Sequence, residues 1–287
     1  MTAVVVRAPV GCGRPAGRWR TNRAIADELA AVRGAQDDAF LVEQAKAQLR
    51  AALGRSPLLD GCDYEVFGQG SRVNDTSVGA ASDIDLVLML KNPDASWAGF
   101  RDHVLATLGE SFPVHMGRRC LNVDEPGTLL GEMVDVLVAT EHRRYPVRGA
   151  GAYQQGVFFR DHDGRPIVNF PKQHRRNGDA KDVRTGGRFK AAVRTIKRVR
   201  ALAGLDHAAA PSYLLECLLY AVPDHVYRAA ASFPDAYRGA LGWLRRCDRE
   251  TFAELRCQNG MNRLFGAGPD QWDPAGAGRI IDVLHES

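Results

Sequence analysis

The sequence predicts an α/β fold: a mixed sheet with helices in the front half, followed by an all-helical back half. Three observations lead there. Short apolar runs of strand length and β-branched content fill the middle third. Apolar residues at three- and four-residue steps dominate both the stretch before it and almost everything after Pro171. The 287 residues, 45% hydrophobic and 25% charged, suffice for one large domain or two small ones with real cores.

Taken in order, residues 1–18 carry Gly11, Gly13, Pro15 and Gly17 among arginines and read as a flexible arm. Ile25, Leu29, Val32, Ala35 and Ala39 then set a helical period across 19–53, with Gly34 as a candidate kink. Runs at 64–67, 84–90, 120–123 and 133–139 read as strands. Residues 93–108 read as a helix started by Asp94 and ended near Gly109. Segments 157–159 and 166–170 flank Asp163-Gly164, a hairpin turn signal. In the back half, Phe189, Val193, Ile196, Val199 and Ala203 form one apolar stripe ended by Gly204. Pro211 opens the next helix through Leu214, Leu215, Leu218 and Leu219, and Pro223 closes it. Further helices are expected around 237–244 and 280–284. The halves are expected to join near 171–182.

Charge and cysteine usage narrow the function classes. With 38 Lys+Arg against 34 Asp+Glu, the net charge is +4 with His neutral, too small to mark a nucleic-acid binder by itself. No apolar stretch approaches the roughly 18 residues of a membrane helix. The run at 3–6 is too short for a signal-peptide core, so a cytoplasmic protein without membrane association is expected. The six cysteines form no CxxC pair, HExxH is absent, and reduced thiols without a structural metal are expected.

The chemistry concentrates in Phe67-Gly68-Gln69-Gly70-Ser71-Arg72-Val73 and the following Ser82-Asp83-Ile84-Asp85-Leu86. Along a strand side chains alternate, so Asp83 and Asp85 project to one side and Ile84 and Leu86 to the other. Carboxylates on an apolar strand are costly to bury without a compensating cation. Asp135 interrupts a later apolar run in the same way. If the two strands are neighbours, three hard-oxygen ligands converge, a set suited to one or two Mg²⁺ ions, with Mn²⁺ as the alternative. The plainer reading is that Asp83 ends a loop and each lone Asp is satisfied by backbone donors. Gly70-Ser71 supplies the complement: a glycine that lets the backbone approach a ligand, then N–H groups and a hydroxyl that cradle phosphate. Its plainer reading is a helix N-cap serine. Val73 stands where the dinucleotide fingerprint needs its third glycine, and no GxxxxGK[ST] occurs, so kinase and P-loop readings are poor.

The order Gly-Ser, Asp-x-Asp, Asp resembles the nucleotidyltransferase superfamily of DNA polymerase beta. Within it, the stretch from Trp19 to Tyr220 is similar to cyclic GMP-AMP synthase, oligoadenylate synthase and the bacterial CD-NTases of CBASS anti-phage systems. The resemblance implies a polymerase-beta-like core at 19–178 and a helical lobe at 179–287 that closes a nucleotide cleft. It implies Asp83, Asp85 and Asp135 as catalytic metal ligands, with Gly70, Ser71, Lys197, Ser212 and Tyr213 on the nucleotide.

Arg194-Thr195-Ile196-Lys197 resembles the family helix whose lysine reaches the donor triphosphate, and beside the Val193-Ile196 stripe Lys197 is expected to emerge at the cleft. Arg200 is its rival. Lys190, Arg194 and Arg198 read as a solvated face. Pro211-Ser212-Tyr213 matches the helix start where a polar residue touches phosphate and the tyrosine stacks on a base; Tyr213 as a core aromatic is the alternative. Gln69, Asn169 and His174 are further candidates for bordering the pockets.

The implied activity is synthesis of a cyclic oligonucleotide, foremost a cyclic dinucleotide, from ATP, GTP or other NTPs. Its diffusible product would act on a separate effector protein. A linear nucleotidyltransferase and a catalytically silent nucleotide- or RNA-binding regulator are the competing readings. The His/Cys zinc insertion of the animal DNA sensor is absent, so no DNA activation is implied. The basic helix leaves room for a nucleic-acid activator that nothing in the sequence calls for.

Overall fold

The computed structural model describes residues 35–78, 82–125, 127–146 and 151–287. The arm expected at 1–18, the first part of the helix expected at 19–53 and Gly34 lie outside these residues. Helix α1 (Ala35–Leu53) buries Val42, Ala45, Leu49, Ala52 and Leu53, residues three, four and seven apart, against one face of the sheet.

The sheet contains β1 (Tyr64–Gln69), β2 (Ile84–Leu90), β3 (Val114–Met116), β4 (Leu121–Val123), β5 (Val134–Arg144), β6 (Gln154–Arg160) and β7 (Pro166–Asn169). Its order is β1-β2-β5-β4-β3, with β6 on the far half of β5 and β7 beyond β6. Only β2 and β5 pair in parallel among the described strands; every other ladder is antiparallel. The mixed sheet expected from the sequence is therefore present. Even-numbered positions of β2 and β5 (Ile84, Leu86, Leu88; Val134, Val136, Val138) share a core with α1 and with helix α3 (Trp97–Gly109). Odd-numbered positions (Val87, Met89; Leu137, Ala139) face Trp97, Val157, Phe159 and Ile167. Because both faces are covered, these strands read as continuous apolar runs.

Three local expectations need correction. Helix α3 starts at Trp97 rather than near Asp94, because the Ser96 side chain takes the Gly99 N–H as its cap. Strand β3 has no counterpart among the expected strands; at three residues it is too short to show a period. The hairpin is real, with Gly164 at φ +75°, but β6 already begins at Gln154.

The short helices α2 (Gly70–Val73) and α4 (Leu129–Met133) lie before the Asp-x-Asp loop and before β5. Helix α5 (Pro171–Arg184) runs unbroken through the boundary expected at 178/179, so no linker separates the halves there. Beyond it stand α6 (Arg188–Leu202), α7 (Ser212–Ala221), α8 (Asp224–Arg228), α9 (Phe233–Arg246), α10 (Arg249–Ala253) and α11 (Pro274–Glu286). Phe189, Val193, Ile196 and Val199 of α6 form a second core with Leu214, Leu215, Leu218 and Leu219 of α7 and with Tyr237, Leu241, Ile281 and Leu284. The helical back half is as expected.

The two parts also meet through side chains. Arg119 pairs with Asp270 at 2.6 Å, Arg144 donates to the Met261 carbonyl at 2.7 Å, and Asn262 donates to the Val168 carbonyl at 3.2 Å. Among the described residues no helix is long and apolar enough to cross a membrane.

Candidate active site

Parallel pairing of β2 with β5 sets Asp85 directly opposite Asp135. Both side chains sit on the odd-numbered face, at the strand ends where the apolar run begins. Asp83 is exposed one residue before β2. The strand-neighbour condition is thus met, and Asp85 feels the charges of both Asp135 and Asp83. Burial first, then these two carboxylates, push Asp85 up to about 7; Lys197 opposes them weakly. Burial and Asp83 likewise raise Asp135, while the Asn122 amide, which donates to its Oδ1, pulls it back. Cys120, on the same flank, is pushed up to about 12 by burial and by Asp135 and Asp85, so it stands there as a neutral thiol.

These residues fit a hard divalent cation. The donors are carboxylate oxygens that leave negative charge uncompensated in a half-buried place. Among the described residues no three His, Cys, Asp or Glu side chains are grouped tightly enough to enclose an ion unaided. Asp85 and Asp135 face each other and Asp83 acts on the charge of both, but the three do not enclose an ion. That suits a cation held by one or two carboxylates and completed by phosphate oxygens.

Against Asp85 lies the single turn of α2. Gly70 adopts φ +75°, and a Cβ there would fall within the Asp85 carboxylate. Only glycine lets this backbone pass so near the acid. Gln69 occupies the N-cap and makes no side-chain cap, so Ser71 is not the capping serine of the plainer reading. As at any helix start, the first amides of the turn have no acceptor within it. Arg72 pairs with Asp38 and donates through Nε to the Ser82 carbonyl at 2.7 Å, joining the turn to the start of the Asp-x-Asp strand.

The helical-lobe residues are placed differently from expectation. Lys197 does not emerge at a cleft: it is 6% exposed, with Nζ 2.5 Å from Glu216 Oε1, 3.0 Å from the Thr76 carbonyl and 3.2 Å from Thr76 Oγ1. A lysine on an apolar arc can snorkel to solvent or meet a buried carboxylate. Glu216 decides for the second. Burial pushes the Glu216 carboxyl up, but Lys197 and the His174 ring outweigh it and hold it well below the usual carboxylate range. Arg200, the rival, is also buried, donating to the Ala210 carbonyl and to Ser212 Oγ and meeting His207. It thereby fixes the start of α7. Nor do Lys190 and Arg194 form a solvated face: Lys190 pairs with Asp179 at 2.6 Å, and Arg194 donates to the Asp75 carbonyl at 2.6 Å.

Tyr213 is half-buried, its ring stacked on His174 at 5.1 Å and tilted on Trp272 at 6.0 Å. Its hydroxyl, raised by burial and so neutral, accepts from Asn259 at 3.2 Å. It is thus both a packed aromatic and a partly open ring. Asn169, another candidate, lies within 3.4 Å of the same Asn259 amide.

Sequence reasoning missed Glu216, Thr76, Asn122 and the Arg119–Asp270 pair. One signal was available: Glu216 is flanked on α7 by Leu214, Leu215, Cys217, Leu218 and Leu219, all buried, and an acid inside such a run calls for a buried partner. Volume is no guide here. A groove of about 610 Å³ between α1, β1 and α5 is lined by Lys46, Lys172, Arg175 and Arg176 and contains none of the three aspartates.

Comparison with known proteins shows which chains this one is similar to. Residues 176–287 match the model of the cGAS/DncV-like nucleotidyltransferase C-terminal helical domain. Over 265 residues the chain is 34% identical to the cyclic UMP-AMP synthase of Rhodothermus marinus (strain SG0.5JP17-172), covering 83% of this chain and 88% of that protein. It is 29% identical over 254 residues to a cyclic dipyrimidine nucleotide synthase, CdnE, of Legionella pneumophila, covering 78% and 84% respectively. The solved structure of the R. marinus CdnE c-UMP-AMP synthase with Apcpp and Upnpp superposes with a TM-score of 0.74 at 31% identity, over 85% of this chain and 89% of that one.

Proposed function

This chain belongs to the CD-NTase family and is a nucleotidyltransferase that makes a cyclic oligonucleotide from NTPs; from there we propose that its product is a cyclic dinucleotide containing at least one pyrimidine. The single observation that carries the site assignment is the Asp85–Asp135 register beside the Gly70-Ser71 turn. The pyrimidine rests on the two relatives described above, which by name make UMP-AMP and dipyrimidine rings. A linear transferase and a silent binder are the weaker readings, because those relatives are cyclising enzymes.

Asp83, Asp85 and Asp135 would hold Mg²⁺, or Mn²⁺ in its place. When bound, it neutralises charge on the donor triphosphate and makes the acceptor hydroxyl a better nucleophile. The protein's own groups do the rest. Gly70 and Ser71 present amides and a hydroxyl to the triphosphate, and Ser212, steadied by Arg200, stands as a further phosphate donor. Lys197, its charge matched by Glu216, braces the turn from behind through the Thr76 carbonyl. Tyr213 offers its ring to a nucleobase, backed by His174. Asp135, steadied by Asn122, borders the acceptor side.

Each transfer joins the acceptor ribose oxygen to the α-phosphorus and breaks the α–β bond. Pyrophosphate and one proton leave, and orientation supplies most of the rate. A second transfer in the same site closes the ring. The product acts as a diffusible signal on a separate effector protein in anti-phage defence, the role that the resemblance implies.

Incubation with all four NTPs and Mg²⁺ or Mn²⁺, phosphatase treatment and mass spectrometry tests this. A phosphatase-resistant species that disappears when UTP and CTP are both withheld is expected. An all-purine ring of undiminished yield would overturn the base assignment, and a phosphatase-sensitive chain would overturn ring closure. Tyr213→Leu, which keeps an apolar side chain in the pocket, is expected to raise KM for nucleotide about tenfold, the scale of one base–aromatic stack. Steady-state kinetics with unchanged KM would remove Tyr213 from the site.

A further inference from the structure

The expected triphosphate ligand Lys197 is tied up in a buried cluster whose members come from four separate elements. Glu216 of α7 receives a hydrogen bond from Thr76 Oγ1 at 2.9 Å on one oxygen, and faces His174 Nε2 at 3.0 Å with the other. A carboxylate only accepts, so Nε2 carries the hydrogen. All four side chains are buried: Thr76, His174, Lys197 and Glu216. Both ends of the cluster reach groups assigned to the nucleotide. At one end, the Thr76 N–H donates to the Ser71 carbonyl at 2.8 Å, holding the phosphate turn. At the other, the His174 ring stacks on Tyr213, and the His174 carbonyl is fixed by Gln258 at 2.9 Å. An unbroken series of contacts thus runs Ser71, Thr76, Glu216, His174, Tyr213.

We propose that Thr76 and Glu216 are positioning residues for nucleotidyl transfer: they fix the phosphate turn relative to the ring beneath the base, with Lys197 as Glu216's charge partner. The inference rests on the reading of Gly70-Ser71 and Tyr213 given above. Its physical basis is that a triphosphate and a base are the two ends of one ligand. The α-phosphorus is aligned only if the groups holding those ends keep a set separation, and a displacement near 1 Å can cost about 100-fold in rate. The turn belongs to the sheet half and the tyrosine to the helical half, so something must register them. Four buried polar groups joined to one another by hydrogen bonds can do that where apolar packing would allow slippage.

Truncating Glu216 itself would leave the Lys197 ammonium buried without its counter-charge and endanger folding. The hydroxyl of Thr76 is the milder handle. Thr76→Val is expected to lower kcat about tenfold or more while the Kd for a non-hydrolysable nucleoside triphosphate changes less than about threefold, because alignment rather than ground-state contact is lost. Thr76→Ser, which keeps the donor, is expected to restore kcat. In a double-mutant cycle with Tyr213→Leu, the combined loss in kcat/KM should be smaller than the product of the single losses, since each variant breaks the same registration. Multiplicative losses, or a wild-type kcat in Thr76→Val, would overturn the proposal while leaving the site assignment standing. Tyr213→Leu with unchanged KM would instead remove Tyr213 from the site, and this inference with it.

Discussion

Asp85→Asn is expected to lower ring synthesis by about 100- to 1,000-fold, the scale of losing one preorganised charge at a reacting centre, and at the same time to stabilise the nucleotide-free protein above pH 7. The second effect follows from the direction in which burial and its neighbours move Asp85. Its carboxyl ordinarily releases its proton near 3.8 but holds it to about 7 when folded. Between these values the folded chain binds a proton that the unfolded chain has already given up. Stability contributed by this group is therefore present below the lower value, falls as pH rises through the window, and is gone above about 7.

Asparagine carries no such charge. The variant should gain little at pH 4 and most at pH 8. The gain has a ceiling of about 4 kcal/mol, the cost of ionising at pH 8 a carboxyl that keeps its proton to about 7 instead of 3.8, and the residue's partial exposure reduces it. Thermal unfolding in the presence of a chelator at both pH values checks this. Equal melting temperatures at pH 8 would show that the charge is already compensated. Adding Mg²⁺ should raise the melting temperature of the wild type at pH 8 more than that of Asp85→Asn, since metal binding is linked to the deprotonated carboxylates.

Gly70→Ala should be nearly as damaging, for a purely geometric reason. An alanine at φ +75° is strained by about 1 kcal/mol, and its methyl would also occupy the space of the Asp85 carboxylate. Either the acid turns away or the phosphate turn lifts off, and both separate groups that must act together. We expect activity to fall about 100-fold, as for other displacements near 1 Å at a reacting centre, together with a lower melting temperature. Gly61 provides the control: it has φ +77° with nothing within 4 Å of an added Cβ. Gly61→Ala should bear the backbone strain alone and keep full activity. Equal loss in the two variants would show that strain, not the contact with Asp85, is responsible.

The parts of this protein that were legible in the sequence are those written in periodicity. The β2 run at Ile84–Leu90 and the α6 stripe through Phe189, Val193, Ile196 and Val199 need only their own side chains to declare themselves. The aspartates were visible for the same reason, as charges where the period demanded apolar residues. What escaped was whatever depends on a partner distant in the chain. Lys197 looks free on a helical wheel because Glu216 lies on another helix and Thr76 lies 121 residues upstream. Arg119 and Asp270 stand in polar loops where such residues are ordinary, and only the packing of sheet against helices joins them. Asn122 pairs with Asp135 through an antiparallel register that a three-residue strand cannot announce. The start of α3 shows a smaller version of the problem. Asp94 and Ser96 are equally good caps by type, and the backbone chose the serine.

The parallel pairing of β2 with β5 also bears on how the enzyme is made. Parallel neighbours cannot be joined by a tight turn, and here the intervening chain from Lys91 to Met133 carries α3, β3, β4 and α4. Long-range parallel ladders form late because loop closure has to precede the contacts that reward it. Asp85 and Asp135 come face to face only when that closure is complete. A nascent or half-collapsed chain therefore lacks the paired aspartates, and nucleotide turnover begins only in molecules whose sheet has closed.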